Sequence, residues 1–474
     1  MIDILIRGDR VVTRHGAGAW DIAIQGDKIA AVTGPEAIPD SDAARVIDAR
    51  GKVVIPGGID PHMHCKFFVA GATSAPPAPV SRAALFGGTT TMIDFGIWQQ
   101  GETLRETLER RDADCWRGQC HSDYAFHVLL NGRIPTEILD EIPEVIQAGF
   151  PSFKIFMTEV RPERSNWKLH LGDIWEVLQV LGKHDGIACI HAEDNDLVMH
   201  MYEKLFREGR AHFQHMSEVH STLSEDISFR RVIRLAEHVE RAALYMMHVS
   251  ARSGIEAIAE SRARGFPIYG ETLHQYALFT AEDYKRPNGQ IYHTYPGLKT
   301  KDDHKAMWEA MEKGDISCIA TDGVCTPFAT KIMGDRIDNT VGGSVGVEPR
   351  VSVMYTETVA NRGWPLELFV DLVSANAAKL FGLYPRKGVI AAGADADIVV
   401  LDPALGRALS KDDLHESDYT PWEGYKVAAW PGMTLLRGKV VVDGERFLGA
   451  PGDGQLLKRK LHESVLNGSA CART

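Results

Sequence analysis

ISCIATD (316–322) is the last of eight mostly apolar runs in the middle of this chain, and it ends on a carboxylate, Asp322. Working back along the chain, the others are PIYGETL (267–273), ALYMMHVS (243–250), IACIHAE (187–193), SFKIFM (152–157), DYAFHVLL (123–130), TTTMIDFG (89–96) and VVIPGGID (53–60). Continuous apolar runs of this length fit strands buried on both faces of a parallel sheet. Helical spacing fills the gaps between them. Ile174, Val177, Leu178 and Leu181 share one face, and Val232, Leu235, Ala236 and Val239 share another. Gly149, Gly186, Gly265 and Gly314 stand just before the next strand, where a helix stops. Eight such βα units predict an α/β fold, a TIM-like (β/α)8 barrel, over the alternative of a doubly wound open sheet.

The two ends of the chain read differently. Residues 2–54 hold IDILIRG, RVVT, DIAIQGDKIAAVTG and the start of RVIDARGKVVIPG, and residues 395–447 hold DADIVVLDP, KVAAWPG and MTLLRGKVVVDGERF. Both sets are punctuated by glycine and lack a helical period, so hairpins are expected. The expected organisation is a small β-sandwich domain built from 1–54 and 388–450, a barrel over 55–387, and a tail over 451–474 that is partly disordered or used for subunit contacts.

At 474 residues the chain can hold one large barrel and a satellite domain. Its 44% hydrophobic and 24% charged content argues against global disorder. A net charge of −12, with no basic tract, argues against nucleic acid or an anionic membrane as partner. The N-terminus MIDILIRGDRVV alternates like a strand and lacks the basic and apolar regions of a signal peptide. No run approaches the ~20 apolar residues needed to span a bilayer. A cytoplasmic address is expected. The seven cysteines form no CxxC pair and are expected as buried thiols, with Cys65 and Cys325 close to the functional residues.

The C-terminal strand ends of a barrel share one face, where catalytic groups collect. Here those ends carry His62, His64, Lys154, His191, His248 and Asp322. Residues i and i+2 of an extended segment point the same way, so His62 and His64 can face one metal. With 19 histidines in the chain an HxH triplet is weak by itself, and its place after the first barrel strand gives it weight. His191 and His248 end two successive strands and could complete a second centre. A bare lysine ammonium beside metals would be repelled and costly to desolvate. Carboxylation of Lys154 by carbon dioxide would make it an anion able to bridge two cations; the alternative is a lysine that snorkels to solvent. Asp322 could bind a metal through one oxygen and take a proton from water through the other, because a metal lowers the water pKa towards ~7. Its alternative is an N-cap. A binuclear metallohydrolase is the expectation.

Taken in order, GGIDPHMH, GGTTTMIDF, SFKIFM, HAEDND, HVSAR, YGETLHQYALFT, IATDG and FGLYPRKGVIAAGADADIVVLDP resemble the hydantoinase/dihydropyrimidinase family of the amidohydrolase superfamily. The similarity runs over roughly residues 2–445 with compatible spacing. It implies that His62, His64 and Asp322 bind one divalent ion, that His191 and His248 bind the other, and that carboxylated Lys154 bridges them. The ions would be zinc, with manganese as the alternative. A hydroxide held between them would attack the ring carbonyl of a cyclic amide such as a hydantoin, a dihydropyrimidine or a related ureide or imide. Asp322 would act first as general base and then as general acid towards the leaving nitrogen. The resemblance also implies a homo-oligomer, commonly a tetramer. Neighbouring readings are an allantoinase- or dihydroorotase-like cyclic amidase and a non-catalytic scaffold relative. The first lacks its HxHxR start, since Lys66 stands where the arginine would be, and the second is opposed by the full ligand set.

Four departures from the family pattern concern the substrate pocket. Glu159 stands where a tyrosine usually donates to the oxyanion, and Thr321-Asp322-Gly323 replaces the usual SDH. Tyr295-Pro296-Gly297-Leu298-Lys299 replaces SPPLR, and Gly342 takes the place of an asparagine. Tyr295, or Tyr292 on the same loop, is therefore expected to supply the missing phenol as a catalytic donor; the alternative is a loop tyrosine packed against the barrel rim. Glu159, Tyr295 and Gly342 are expected at the substrate, with Glu159 reading a cationic or hydrogen-bond-donating group or else pointing into solvent.

Overall fold

The computed structural model of the chain describes residues 2–69 and 72–471. Eight parallel strands form the barrel: β1 Gly58–Asp60, β2 Thr89–Ile97, β3 Asp123–Leu129, β4 Ser152–Phe156, β5 Ile187–His191, β6 Ala243–Met246, β7 Ile268–Leu273 and β8 Cys318–Ala320. They pair in sequence order from β1 to β8. The seam between the first and last strands is closed just beyond their ends. The His64 amide donates to the Gly323 carbonyl at 2.8 Å, and Met63 bridges Gly323 in parallel.

The alternation expected of doubly buried strands is present. In β5, Ile187 and Cys189 face the barrel interior, while Ala188 and Ile190 join the larger core under the helices. Helix Leu171–Lys183 buries Ile174, Val177, Leu178 and Leu181, as their spacing predicts. Helix Thr222–Ala236 buries Val232 and Ala236 but ends before Val239, which lies in the turn that follows. Gly149, Gly265 and Gly314 turn the chain with positive φ, whereas ahead of β5 the left-handed residue is Asp185 (φ 61°), one position before Gly186.

VVIPGGID, read as one run, divides into two strands. Val53–Pro56 joins the outer sheet and Gly58–Asp60 opens the barrel. Gly57 makes the crossing, because a Cβ there would sit 2.1 Å from Thr90 Oγ1. Val53–Pro56 pairs antiparallel with Ile398–Asp402, so strands from both ends of the chain form one mixed nine-stranded sheet beside the barrel. Ile6, Ile22, Val54, Ile398 and Leu435 are in its core. At its junction with the barrel, the buried Lys387 ammonium lies 2.6 Å from both Asp123 and Asp397.

Of the expected tail, 472–474 lie outside the described residues, and the part before them packs into the barrel. Leu457, Leu461, Val465 and Leu466 are buried in the barrel's interior core. The Arg459 guanidinium donates to the Phe126 carbonyl and to Ser152 Oγ at 2.9 Å. The apolar positions of this segment close the barrel at the end opposite the C-terminal ends of its strands.

Candidate metal centre

Each candidate side chain is aimed by a specific backbone feature. Lys154 and His191 take inward positions on β4 and β5. His62 and His64 follow β1 in an extended stretch that the Gly323 contacts hold in place. His248 and Asp322 each lie two residues past a strand end, with φ of 40° and 49°. Left-handed backbone at a residue other than glycine costs about 1–3 kcal/mol and persists where surroundings over-determine it, as they do at functional sites. Val160, in the loop after β4, has φ 67° and is β-branched, so the same argument applies to it.

His62 Nε2 and His64 Nε2 lie 3.1 and 3.0 Å from the same oxygen, Oδ1 of Asp322. These three buried residues place a ligand atom each within 4.8 Å of one another. Asp322 Oδ2 accepts a hydrogen bond from Thr294 Oγ1 at 3.0 Å. The second group is built round the His191 and His248 rings, whose centroids are 4.4 Å apart. The His248 ring lies 5.5 Å from that of His62, which joins the two groups.

A surrounding layer of acids fixes these rings, and sequence reading missed it. Glu271 Oε1 lies 2.8 Å from His62 Nδ1, and Glu271 also accepts from Tyr245 OH and from the His248 amide. Glu193 stands between His191 Nε2 and His220 Nδ1, 2.8 Å from each, which leaves His191 Nδ1 for the site. Asp60 accepts from the His62 amide and from Thr321 Oγ1, tying the first strand end to the last. Carboxylates of this kind set the tautomer and orientation of metal-binding histidines. Their signal in the sequence was position: Glu193 and Asp60 lie two residues from a candidate ligand, and Glu271 lies on an inward position of β7.

Burial opposes charge on His62, yet Glu271 and Asp322 outweigh it and hold the imidazole at about 9. Burial drives His248 well below the usual range and lowers Lys154 to about 8. Burial would raise Asp322, but His62 and His64 hold it well below an ordinary carboxylate. The donor set fits divalent cations. Among the described residues, the His248 imidazole makes no hydrogen bond, and the Lys154 amine's one hydrogen bond is to the Met247 thioether, at 2.9 Å. Buried polar groups left in that condition cost about 1–3 kcal/mol each, and cations would take up the imidazole directly and the lysine once it carries a carboxylate.

All six candidate ligands line one cavity of about 690 Å³ at the barrel mouth, together with Tyr295 and Gly342. That size accepts a small ring with a substituent. The Tyr295 hydroxyl reaches the Thr340 carbonyl at 3.4 Å and also meets the buried Tyr202 hydroxyl. Tyr292 is not part of the cavity wall; its hydroxyl accepts from Arg286. Glu159 is also absent from the wall. Its carboxylate accepts the Trp167 amide at 2.9 Å and its own amide donates to Asn195, so it shapes the loop over the cavity. Arg161 and Arg164, on that loop, do reach the cavity. Cys65 and Cys325 are buried near the centre but outside the wall.

Residues 53–441 match the sequence profile of the amidohydrolase family. A D-hydantoinase of Geobacillus stearothermophilus is 34% identical over 98% of this chain and 98% of its own length. A D-hydantoinase of Rhizobium radiobacter is 32% identical over 98% of this chain and 100% of its own. Among solved structures, the dihydropyrimidinase of Brevibacillus agri NCHU1002 superposes with a TM-score of 0.91 at 30% identity, covering 97% of this chain and 99% of that one. The L-hydantoinase of Arthrobacter aurescens gives 0.86 at 25% identity, covering 97% and 100%.

Proposed function

This chain belongs to the amidohydrolase family, in the group of the hydantoinases and dihydropyrimidinases, and from that premise we propose how its residues open a cyclic amide. It is a metal-dependent hydrolase of cyclic amides. The observation that carries the residue assignment is the convergence of His62, His64, Lys154, His191, His248 and Asp322 on one cavity. In this reading His62, His64 and Asp322 hold one cation, His191 and His248 hold a second, and Lys154 joins them after carboxylation. Zinc suits the imidazole-rich set, with manganese as the alternative. Bound cations would supply Lewis acidity, which polarises the amide carbonyl and acidifies a water.

The remaining work falls to the chain itself. Asp322, steadied at Oδ2 by Thr294, accepts a proton from the attacking water and passes it to the departing ring nitrogen. Tyr295, in the cavity wall, turns its hydroxyl to donate to the carbonyl oxygen as charge builds there. Phe67, Phe156 and Trp167 give the cavity apolar walls that bind the ring and exclude bulk water. The product is a ring-opened N-carbamoyl or amide acid.

We also place the enzyme in the cytoplasm as a homo-oligomer, a tetramer in this reading. Seven free cysteines suit a reducing compartment, and exposed Trp175 and Leu223 suit subunit contacts. No helix among the described residues is long and apolar enough to cross a membrane.

The test is a panel of hydantoins, dihydropyrimidines, cyclic imides, allantoin and dihydroorotate offered to the metal-loaded enzyme. Ring opening of a hydantoin or dihydropyrimidine is expected, and Asp322→Asn should lower kcat by about 10²–10⁴-fold. Turnover of allantoin or dihydroorotate alone would move the assignment to those neighbouring activities, and an unimpaired Asp322→Asn enzyme would refute the proton role.

A further inference from the structure

The loop after β4 carries two arginines into the cavity, and only one of them is paired. Arg161 forms an ion pair with Glu163 and donates to the Asp338 carbonyl. Arg164 makes no direct ion pair among the described residues, Glu159 acting on it only from a distance, and its Nη2 is shielded from solvent without a hydrogen-bond acceptor. Its guanidinium carbon sits 3.9 Å from the centre of the Trp167 ring and 5.4 Å from that of Phe156. The aromatic faces hold the planar fork in place without neutralising it. Burial lowers Arg164 to about 10, so the group stays a cation at neutral pH.

An unpaired, poorly solvated cation in a cavity wall is costly unless a ligand supplies its anion. The Phe156 ring fixes where that anion would sit. The same ring lies 4.8 Å from the Lys154 amine and 4.9 Å from the His191 ring, on the metal side of the cavity. A cyclic amide lying over Phe156 with its carbonyl towards His191 would thus extend a substituent of a few bonds to Arg164. Glu159, which stands at an oxyanion-donor position in the family pattern, contributes here by anchoring the Trp167 amide and so one of the two faces that clamp Arg164.

We propose that Arg164 forms a carboxylate subsite, so that the preferred substrate is a cyclic amide whose ring substituent ends in a carboxylate. This rests on the cyclic-amide reading and names the substrate class within it. The guanidinium fork would take the carboxylate in two parallel hydrogen bonds. A neutral substituent of the same shape would leave the cation unpaired.

The experiment compares 5-(2-carboxyethyl)hydantoin with its primary amide on the metal-loaded wild type, Arg164→Gln and Arg164→Lys. The corresponding ring-opened compounds, N-carbamoylglutamate and N-carbamoylglutamine, are compared by calorimetric binding, which needs no turnover. In the wild type the acid should be preferred over the amide by about tenfold or more, in kcat/KM and in binding. That preference should collapse in Arg164→Gln and be partly restored in Arg164→Lys. Equal affinity for acid and amide in the wild type, or a preference that survives Arg164→Gln, would overturn the subsite. A binding preference that follows Arg164 while neither hydantoin is opened would keep the subsite and refute the cyclic-amide reading instead.

Discussion

A Cβ added at position 342 would sit 2.2 Å from Cε2 of Tyr295, so the glycine exists to admit that ring. Two departures from the family pattern, Tyr295 and Gly342, are therefore one adaptation: the phenol occupies the volume a side chain at 342 would need. Gly342→Ala should displace the ring, cost about 1–3 kcal/mol of stability as overpacking, and lower kcat/KM by about tenfold or more. In a Tyr295→Ser background the same change should be nearly neutral. Denaturant midpoints and kcat/KM for the four proteins give the coupling, and additive effects would show that the two residues act independently. The sequence displayed both substitutions, but their link depends on a close approach between loops 47 positions apart, which no local pattern encodes. Glu159 teaches the same lesson. One oxygen of its carboxylate accepts a backbone amide eight residues on, a contact that its identity alone does not announce.

At the scale of elements, continuous apolar runs and the period of 3.6 made the barrel strands and helices legible, because burial on both faces of a sheet or on one face of a helix leaves those patterns in the residue order. The segment 456–466 escaped this reading. It crosses under the barrel without regular structure until the short helix Glu463–Leu466, with Leu457 and Leu461 buried and Arg459 tied to β3 and β4. Short apolar positions interleaved with lysine and arginine look like a solvated tail until the open barrel end is known. Leu457→Ala should cost about 2–5 kcal/mol, as for any large-to-small change in a closed core. Chemical denaturation measures it, and a cost within about 0.5 kcal/mol, typical of surface changes, would mean that this segment does not plug the barrel.

Across the whole molecule, the order of the eight strands and the residues at their mouths could be read because each strand announces its own end. His62, His64, Lys154, His191, His248 and Asp322 meet at one cavity although they span 261 positions of chain. The acids behind them were not legible: Glu271, Glu193 and Asp60 belong to otherwise ordinary apolar or loop sequence, and only the closed barrel shows which histidine each one orients. Arg164 was missed for a related reason, since an exposed cation and an unpaired one look alike in a loop. The central claim, that these six side chains form a two-ion centre serving ring opening, is tested most directly by stripping the protein with a chelator and titrating zinc back in bicarbonate buffer. Bound metal per chain and ring-opening rate are followed together. Activity should rise until two ions are bound per chain and then level off, with Lys154→Ala failing to hold the pair. Full activity at one ion per chain, or in the stripped protein, would contradict the account.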